Sequence, residues 1–316
     1  MADEITFLAA CDDNFFGHMR TMITSVGLTH KKSHFYVAAI EVDAQKQAEF
    51  MASVAPLGVT LEYINFSRSE FDGLKATKGL PSAVWGRLLA LQRLPSKVER
   101  VIYVDCDVLV FRCLKTVFEA DLNGCVAGMV EDMSSGPALA ERKSDLGLLE
   151  DDTYFNTGVM VVDVPRWQRE DVSAEIMKFA RANPDRLRLG DQCATNAVLK
   201  RRITPLNRGF NHSPLSELID HAMPSLVHFM GRKPWSPKPG VGGAAYQMIR
   251  RVWDPNYRLP RGSQFRATLR MVRFYLWRRF ISPNSVRRPL DGWRNFSYAL
   301  MLDRHMTRWA KKLVQQ

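Results

Sequence analysis

Over the first 110 residues, short apolar runs alternate with segments whose apolar residues recur at helical spacing. Strands are predicted at Ile5–Cys11, His34–Ile40, Val59–Ile64 and Arg100–Val104, and helices at Phe16–His30, Ala44–Ala55 and Pro81–Leu94. Strand and helix thus alternate along the chain. The expected fold is therefore α/β, a mostly parallel sheet covered by helices on both faces. In such sheets ligands bind beyond the carboxyl ends of the strands, which directs attention to the loops at Asp12 and Asp105.

The second half is less regular. Cys125–Val130, Thr157–Asp163 and Leu226–Met230 read as strands, and Ser173–Ala182 and Asp191–Leu199 as helices. After Pro239 the pattern changes. The glycines Gly240, Gly242 and Gly243 suggest a boundary near residue 244, with a body over 1–244 and a tail over 245–316. The formal charge of +11 lies wholly in that tail, which holds 16 Lys+Arg against three Asp+Glu. Two tail stretches, 258–280 and 298–312, mix aromatic and aliphatic residues with cations. They read as basic amphipathic helices on an anionic membrane surface. A helix pair packed on the body with a solvated basic face is the competing reading, and nucleic-acid binding the weaker one. No spanning segment is expected, because the longest stretch free of charged residues, Phe50–Leu61, is 12 residues where a span needs about 20. The acidic start MADEITFLAACDD reads as a first strand, not a signal peptide. Five cysteines without a CxxC pair suit reduced thiols in the cytoplasm.

Four motifs carry chemistry. In VIYVDCDVLVF, Asp105 and Asp107 straddle Cys106 just past an apolar strand, where two carboxylates can share a divalent cation. In SLVHFMGRKPW, His228 in a strand is followed by Gly231, Arg232 and Lys233, an imidazole and two cations around a glycine turn. YFNTGVMVVDVPRW sets Asn156 among apolar residues, and Gly190-Asp191-Gln192 opens a helix. Taken singly, a solvated strand end, a core histidine, a strand-entry asparagine and an N-cap would account for each.

Together and in this order, with AACDDNF near the start, WGRL, and GDQCATNAV, these motifs resemble the family 8 glycosyltransferases over about residues 5–235. That family is retaining and has the GT-A fold, and the pattern is most similar to bacterial lipopolysaccharide galactosyl- and glucosyltransferases, which also end in basic, aromatic tails. The resemblance implies that Asp105, Asp107 and His228 bind Mn²⁺, with Mg²⁺ the alternative, and that the ion bridges the diphosphate of a UDP-sugar. A histidine ligand favours Mn²⁺. It further implies that Cys11, Asp12 and Asn14 hold uracil and ribose, and that Arg87, Asp105, Cys106 and Asn156 line the donor. Gly231 and Lys233 would grip the diphosphate, and Asp191 and Gln192 would act at the reacting sugar. The turn HFMGRKPW is one residue shorter than in the galactosyltransferases, and Cys193 stands where they carry an acidic residue. The implied activity moves a hexose to a saccharide acceptor such as a lipid-linked glycan, at the inner face of the cytoplasmic membrane. Retention fits a double displacement through Asp191 or Gln192 and front-face return through an ion pair equally. The rival from another class is an inactive sugar-nucleotide-binding scaffold at the membrane.

Overall fold

The computed structural model describes residues 4–74, 82–214, 224–231, 233–236, 241–258 and 289–315. Its centre is a seven-stranded sheet of β1 (Ile5–Asp12), β2 (Ser33–Ile40), β3 (Val59–Phe66), β4 (Arg100–Val104), β6 (Ala127–Glu131), β7 (Phe155–Asp163) and β8 (Ile203–Pro205), in the order β3-β2-β1-β4-β7-β6-β8. β3, β2, β1 and β4 are parallel neighbours, and β6 and β8 pair in parallel. Only β7 runs against its neighbours β4 and β6. The expected mostly parallel sheet is therefore present, with one reversed strand in the middle.

The central strands are buried on both faces, between one core built around Leu8, Trp85, Tyr103 and Trp167 and another around Phe7, Phe35, Met22 and Val104. At the β3 edge the pattern VTLEYINF alternates instead, burying Val59, Leu61 and Phe66 and exposing Thr60, Glu62 and Asn65. Helices α1 (Phe16–Gly27) and α2 (Ala44–Val54) follow β1 and β2 as the spacing predicts. The single helix expected over 81–94 divides into a 3₁₀ turn, Ser82–Trp85, and α3 (Gly86–Arg93). Pro81 lies outside the described residues. The tighter first turn leaves the Val84 carbonyl for a side chain, and Arg87 Nε takes it at 3.2 Å.

Two short strands lie outside the main sheet, one of them within the expected strand Leu226–Met230. β5 (Val108–Val110) follows β4 after the three residues Asp105–Asp107 and pairs antiparallel with β9 (Leu226–His228), in the register Val108↔His228. That pairing brings a residue more than a hundred positions away beside the Asp105–Asp107 turn. β9 also stops at His228, two residues short of the sequence-based end, because Gly231 turns the chain at φ +83.

The other face of the β5–β9 pair carries a third core. Leu109, Phe111, Val227 and Phe229 pack with Ala245, Tyr246 and Ile249 of a helix over Gly243–Arg250, and with Leu302, Met306 and Ala310 of a C-terminal helix over Pro289–Val314. Residues on both sides of position 244 thus share one cluster. The C-terminal helix buries Leu302, Met306, Ala310 and Leu313 and exposes Arg304, Arg308, Lys311 and Lys312. The first basic stretch lies outside the described residues except for Arg258. No described helix is long and apolar enough to cross a membrane.

Candidate active site

The site forms where β4 and β9 end and β7 begins. Asp105 leaves β4 with its amide on the Gly158 carbonyl at 2.8 Å, which fixes the turn against β7. Opposite, the pairing of β6 with β7 shifts register between Met129 and Val130, so Thr157, Gly158 and Val159 have no partner on β6. Such irregularities re-aim side chains beside active sites. Asn156, Thr157 and Gly158 accordingly face the carboxylates and the imidazole.

Asp105, Asp107 and His228 each offer one ligand atom, all within 4.8 Å of one another. The remaining atoms of these groups are already engaged. Asp105 Oδ1 accepts from Tyr103 OH at 2.5 Å and lies 3.0 Å from Arg87 Nη2, leaving Oδ2 free toward His228 Nε2 at 3.9 Å. Asp107 Oδ2 is ion-paired with Lys233 Nζ, leaving Oδ1 3.2 Å from His228 Nε2. His228 Nδ1 lies 2.9 Å from Asn211 Oδ1. Two oxygens and a ring nitrogen therefore converge, a donor set that a bound cation would stabilise. Burial alone would raise the Asp107 carboxyl, but His228 and Lys233 outweigh it and hold that group well below the usual carboxylate range. The residues present fit a divalent metal with mixed O/N ligation.

Beside this triad, Arg87 is buried between two carboxylates. Its Nη1 donates to the Thr157 carbonyl at 2.6 Å, its plane covers the Tyr103 ring at 4.4 Å, and its Nε lies 3.0 Å from Asp191 Oδ2. Burial opposes the guanidinium charge, but Asp105 and Asp191 more than restore it. The Nε proton points at Val84, so Asp191 Oδ2 has charge nearby but no hydrogen bond. Burial pushes Asp191 up to about 6, against the opposing pull of Arg87. Gln192 is saturated. Its Oε1 accepts from Asn156 Nδ2 and the Thr157 amide at 3.1 and 3.3 Å, and its Nε2 donates to Asp132 Oδ2 at 3.1 Å.

The structure thus gathers Arg87, Asp105, Asp107, Asn156, Asp191, Gln192, His228 and Lys233 into one constellation. Cys11, Asp12 and Asn14 close β1, the parallel neighbour of β4. Asp12 caps its own loop through the Phe15 amide at 3.1 Å and holds Asn14 at 3.3 Å. The Cys11 thiol is buried and strongly raised by that burial. Cys106 Sγ lies 3.2 Å from the Ala10 carbonyl, tying the carboxylate turn to β1. Gly231 forms the turn after β9, and Arg232 lies outside the described residues. Cys193 faces Tyr154 OH and the Leu189 amide, both at 3.3 Å, inside the core. Sequence reading missed Tyr103, Asp132, Gly158 and Asn211. Only Gly158 carried a signal, as a glycine inside an otherwise apolar strand. A wide groove lined by Tyr36, Lys97, Arg100 and Arg166 lies at the amino ends of the strands and holds none of these residues.

A mostly parallel sheet with two carboxylates and an imidazole beyond a central strand is the architecture of a GT-A glycosyltransferase. The chain belongs to glycosyl transferase family 8, whose model matches residues 6–238. It is similar to general stress protein A of Bacillus subtilis, 26% identical over 74% of this chain and 88% of that one. It is also similar to the lipopolysaccharide 1,2-glucosyltransferase of Escherichia coli, 29% identical over 71% of this chain and 70% of the relative. Among solved structures, the galactosyltransferase LgtC, determined with donor and acceptor sugar analogues, superposes with a TM-score of 0.69 at 20% identity. The match covers 83% of this chain and 100% of that one, and it fixes the shared fold.

Proposed function

We propose that the chain is a metal-dependent, retaining hexosyltransferase that moves a sugar from a UDP-sugar to a saccharide on a lipid-linked glycan such as lipopolysaccharide. The observation that carries this reading is the convergence of Asp105 Oδ2, Asp107 Oδ1 and His228 Nε2, with every other polar atom of the three already engaged. These groups would hold Mn²⁺, or Mg²⁺ in its place, and the ion would neutralise charge developing on the departing diphosphate. Lys233 supplies a fixed cation on the same side, and Gly231 lets the chain turn to present it. Cys11, Asp12 and Asn14 form the loop offered to uracil and ribose, with Cys106 holding that loop to the carboxylates.

At the sugar, Asp191 keeps one oxygen free of hydrogen bonds in a buried setting, suited to face the positive character of the breaking anomeric centre. Gln192 Oε1 already accepts two hydrogen bonds, which favours a positioned dipole over a nucleophile. This supports front-face return through an ion pair. Membrane contact would run through the exposed basic face of the C-terminal helix at the inner leaflet, since its apolar face is committed to the body.

The test is donor hydrolysis with UDP-galactose and UDP-glucose, with and without Mn²⁺. UDP release that requires the ion and vanishes in Asp107→Ala is expected. Tight UDP binding with no release from either donor would instead mark a sugar-nucleotide-binding scaffold.

A further inference from the structure

Behind His228 runs a chain of amides whose polarity is forced from one end. The Gly158 backbone N–H donates to Asn156 Oδ1 at 2.9 Å, so that atom must be the amide oxygen. At the other end of the same group, Asn156 Nδ2 donates to Asp132 Oδ2 at 3.2 Å and Gln192 Oε1 at 3.1 Å. Asn211 Nδ2 lies 2.7 Å from Asn156 Oδ1, which makes it the donor. Asn211 Oδ1 must then point the other way, where it meets His228 Nδ1 at 2.9 Å as an acceptor. His228 Nδ1 is therefore the donor to Asn211, which leaves Nε2 as the ring nitrogen that faces Asp105 and Asp107 and that a metal would take. Asn156, Gln192, Asn211 and His228 are all buried, where water cannot substitute for a lost partner.

We propose that Asn211 is a positioning residue that couples the metal ligand His228 to the sugar-facing amides Asn156 and Gln192. Through it, metal occupancy and the geometry of the sugar pocket depend on each other. The inference rests on the reading of Asp105, Asp107 and His228 as a metal site. It adds a residue from the segment GFNHSP that touches neither metal nor sugar. Partners that orient a ligating histidine typically contribute 10–100-fold to metal affinity. The two ends of Asn211 separate by substitution. Asn211→Ala removes both hydrogen bonds. Asn211→Asp keeps an acceptor for His228 Nδ1 but loses the donor to Asn156.

Mn²⁺ affinity is measured directly by titration calorimetry without nucleotide, alongside affinities for UDP and UDP-sugar and a thermal melt. Asn211→Ala is expected to lose about 10–100-fold in Mn²⁺ affinity. Asn211→Asp is expected to stay within about threefold of wild type for Mn²⁺, yet to lose most of the preference for UDP-sugar over UDP through the displaced Asn156. Loss of Mn²⁺ affinity in Asn211→Ala with its melting temperature retained supports the coupling. If that variant does not fold, the Asn211→Asp pattern decides: retained Mn²⁺ affinity with a reduced UDP-sugar preference supports the coupling, and any other pattern overturns it. Wild-type Mn²⁺ affinity in Asn211→Ala overturns the coupling alone, provided Asp107→Ala has lost the ion. Wild-type Mn²⁺ affinity in Asp107→Ala overturns the metal site itself and the coupling with it.

Discussion

Gly158 and His228 are in direct apposition. A Cβ on residue 158 would lie 2.7 Å from His228 Nδ1 and 2.8 Å from Asp105 Oδ2, with His228 Cε1 nearer still. The imidazole is thus seated on the backbone of β7, held flat from below by Gly158 and at its edge by Asn211. A methyl group there displaces the ring and one carboxylate together. Gly158→Ala is expected to abolish Mn²⁺-dependent UDP binding. Its melting temperature should fall by only a few degrees, since overpacking at one site costs about 1–3 kcal/mol. Calorimetry with UDP and Mn²⁺ checks it, and unchanged affinity would mean that His228 does not need this seat.

Arg87 provides a second, energetic handle. It is buried with Asp105 on one side and Asp191 on the other. Removing one partner of a buried ion pair strands the other charge, at a cost of about 3–5 kcal/mol. Arg87→Ala is therefore expected to unfold at clearly lower denaturant concentration. Arg87→Lys should recover part of the stability but little activity, because an ammonium cannot span two carboxylates and the Thr157 carbonyl as the guanidinium fork does. Equal stability of Arg87→Ala and wild type in urea would count against a buried, uncompensated pair.

Much of this was legible in the sequence because it is local. The strand before Asp105, the D-x-D spacing and the helix opening at Asp191 all lie within windows that periodicity can read. β9 was legible as a short strand, but its pairing with β5 is not local: the three residues of β5 give no pattern of their own, and the register arises only when the third core packs beneath the pair. Asn211 and Asp132 sit in irregular segments, where a polar residue is the default and carries no signal. Lys233 was readable as a cation after a glycine turn. Its ion pair with Asp107 was not, because it depends on the same long-range pairing.

That ion pair makes opposite predictions for metal and donor. Lys233 neutralises Asp107, so it competes with an incoming cation. Lys233→Met is expected to bind Mn²⁺ alone as well as wild type or better. UDP-sugar turnover should nevertheless fall about 10²–10³-fold, as when one preorganised donor to a developing anion is lost. Titration of Mn²⁺ without nucleotide and steady-state UDP release measure the two effects separately. Loss of both together would mean that Lys233 shapes the loop and does not act on the diphosphate.

Stability should also depend on mildly acidic pH. Burial pushes both His18 and His212 down to about 4 from an ordinary value near 6.5. At these two histidines the unfolded chain binds protons between pH 6.5 and 4 that the folded chain refuses, so their contribution is full above pH 6.5 and falls as pH drops toward 4, partly offset by Asp191, whose raised carboxyl acts in the opposite sense between pH 6 and 4. His18 stacks on Trp235 at 3.7 Å and meets Tyr246 OH at 2.6 Å, and burial together with the nearby Arg250 charge holds it as a neutral ring. His18→Gln should lower the melting temperature at pH 7.5 but reduce the further loss between pH 7.5 and 5. A variant whose pH slope matches wild type would show that His18 is protonated in the fold.

The basic charge that sets the C-terminal segment apart is carried, in the described part of the C-terminal helix, by the exposed side chains Arg304, Arg308, Lys311 and Lys312. Leu302, Met306, Ala310 and Leu313 are spent on the body, so these side chains are not available to lipid, and truncating the helix would uncover the third core. Neutralising Arg304, Arg308, Lys311 and Lys312 to Gln tests membrane contact without that damage. Each cation near an anionic surface contributes about 1 kcal/mol, so the four together account for up to about 4 kcal/mol of attraction, screened away as salt is raised. Sedimentation with phosphatidylserine vesicles should weaken strongly in the quadruple variant at low salt while UDP release from the free donor stays unchanged. Undiminished vesicle binding would exclude this face as the membrane contact.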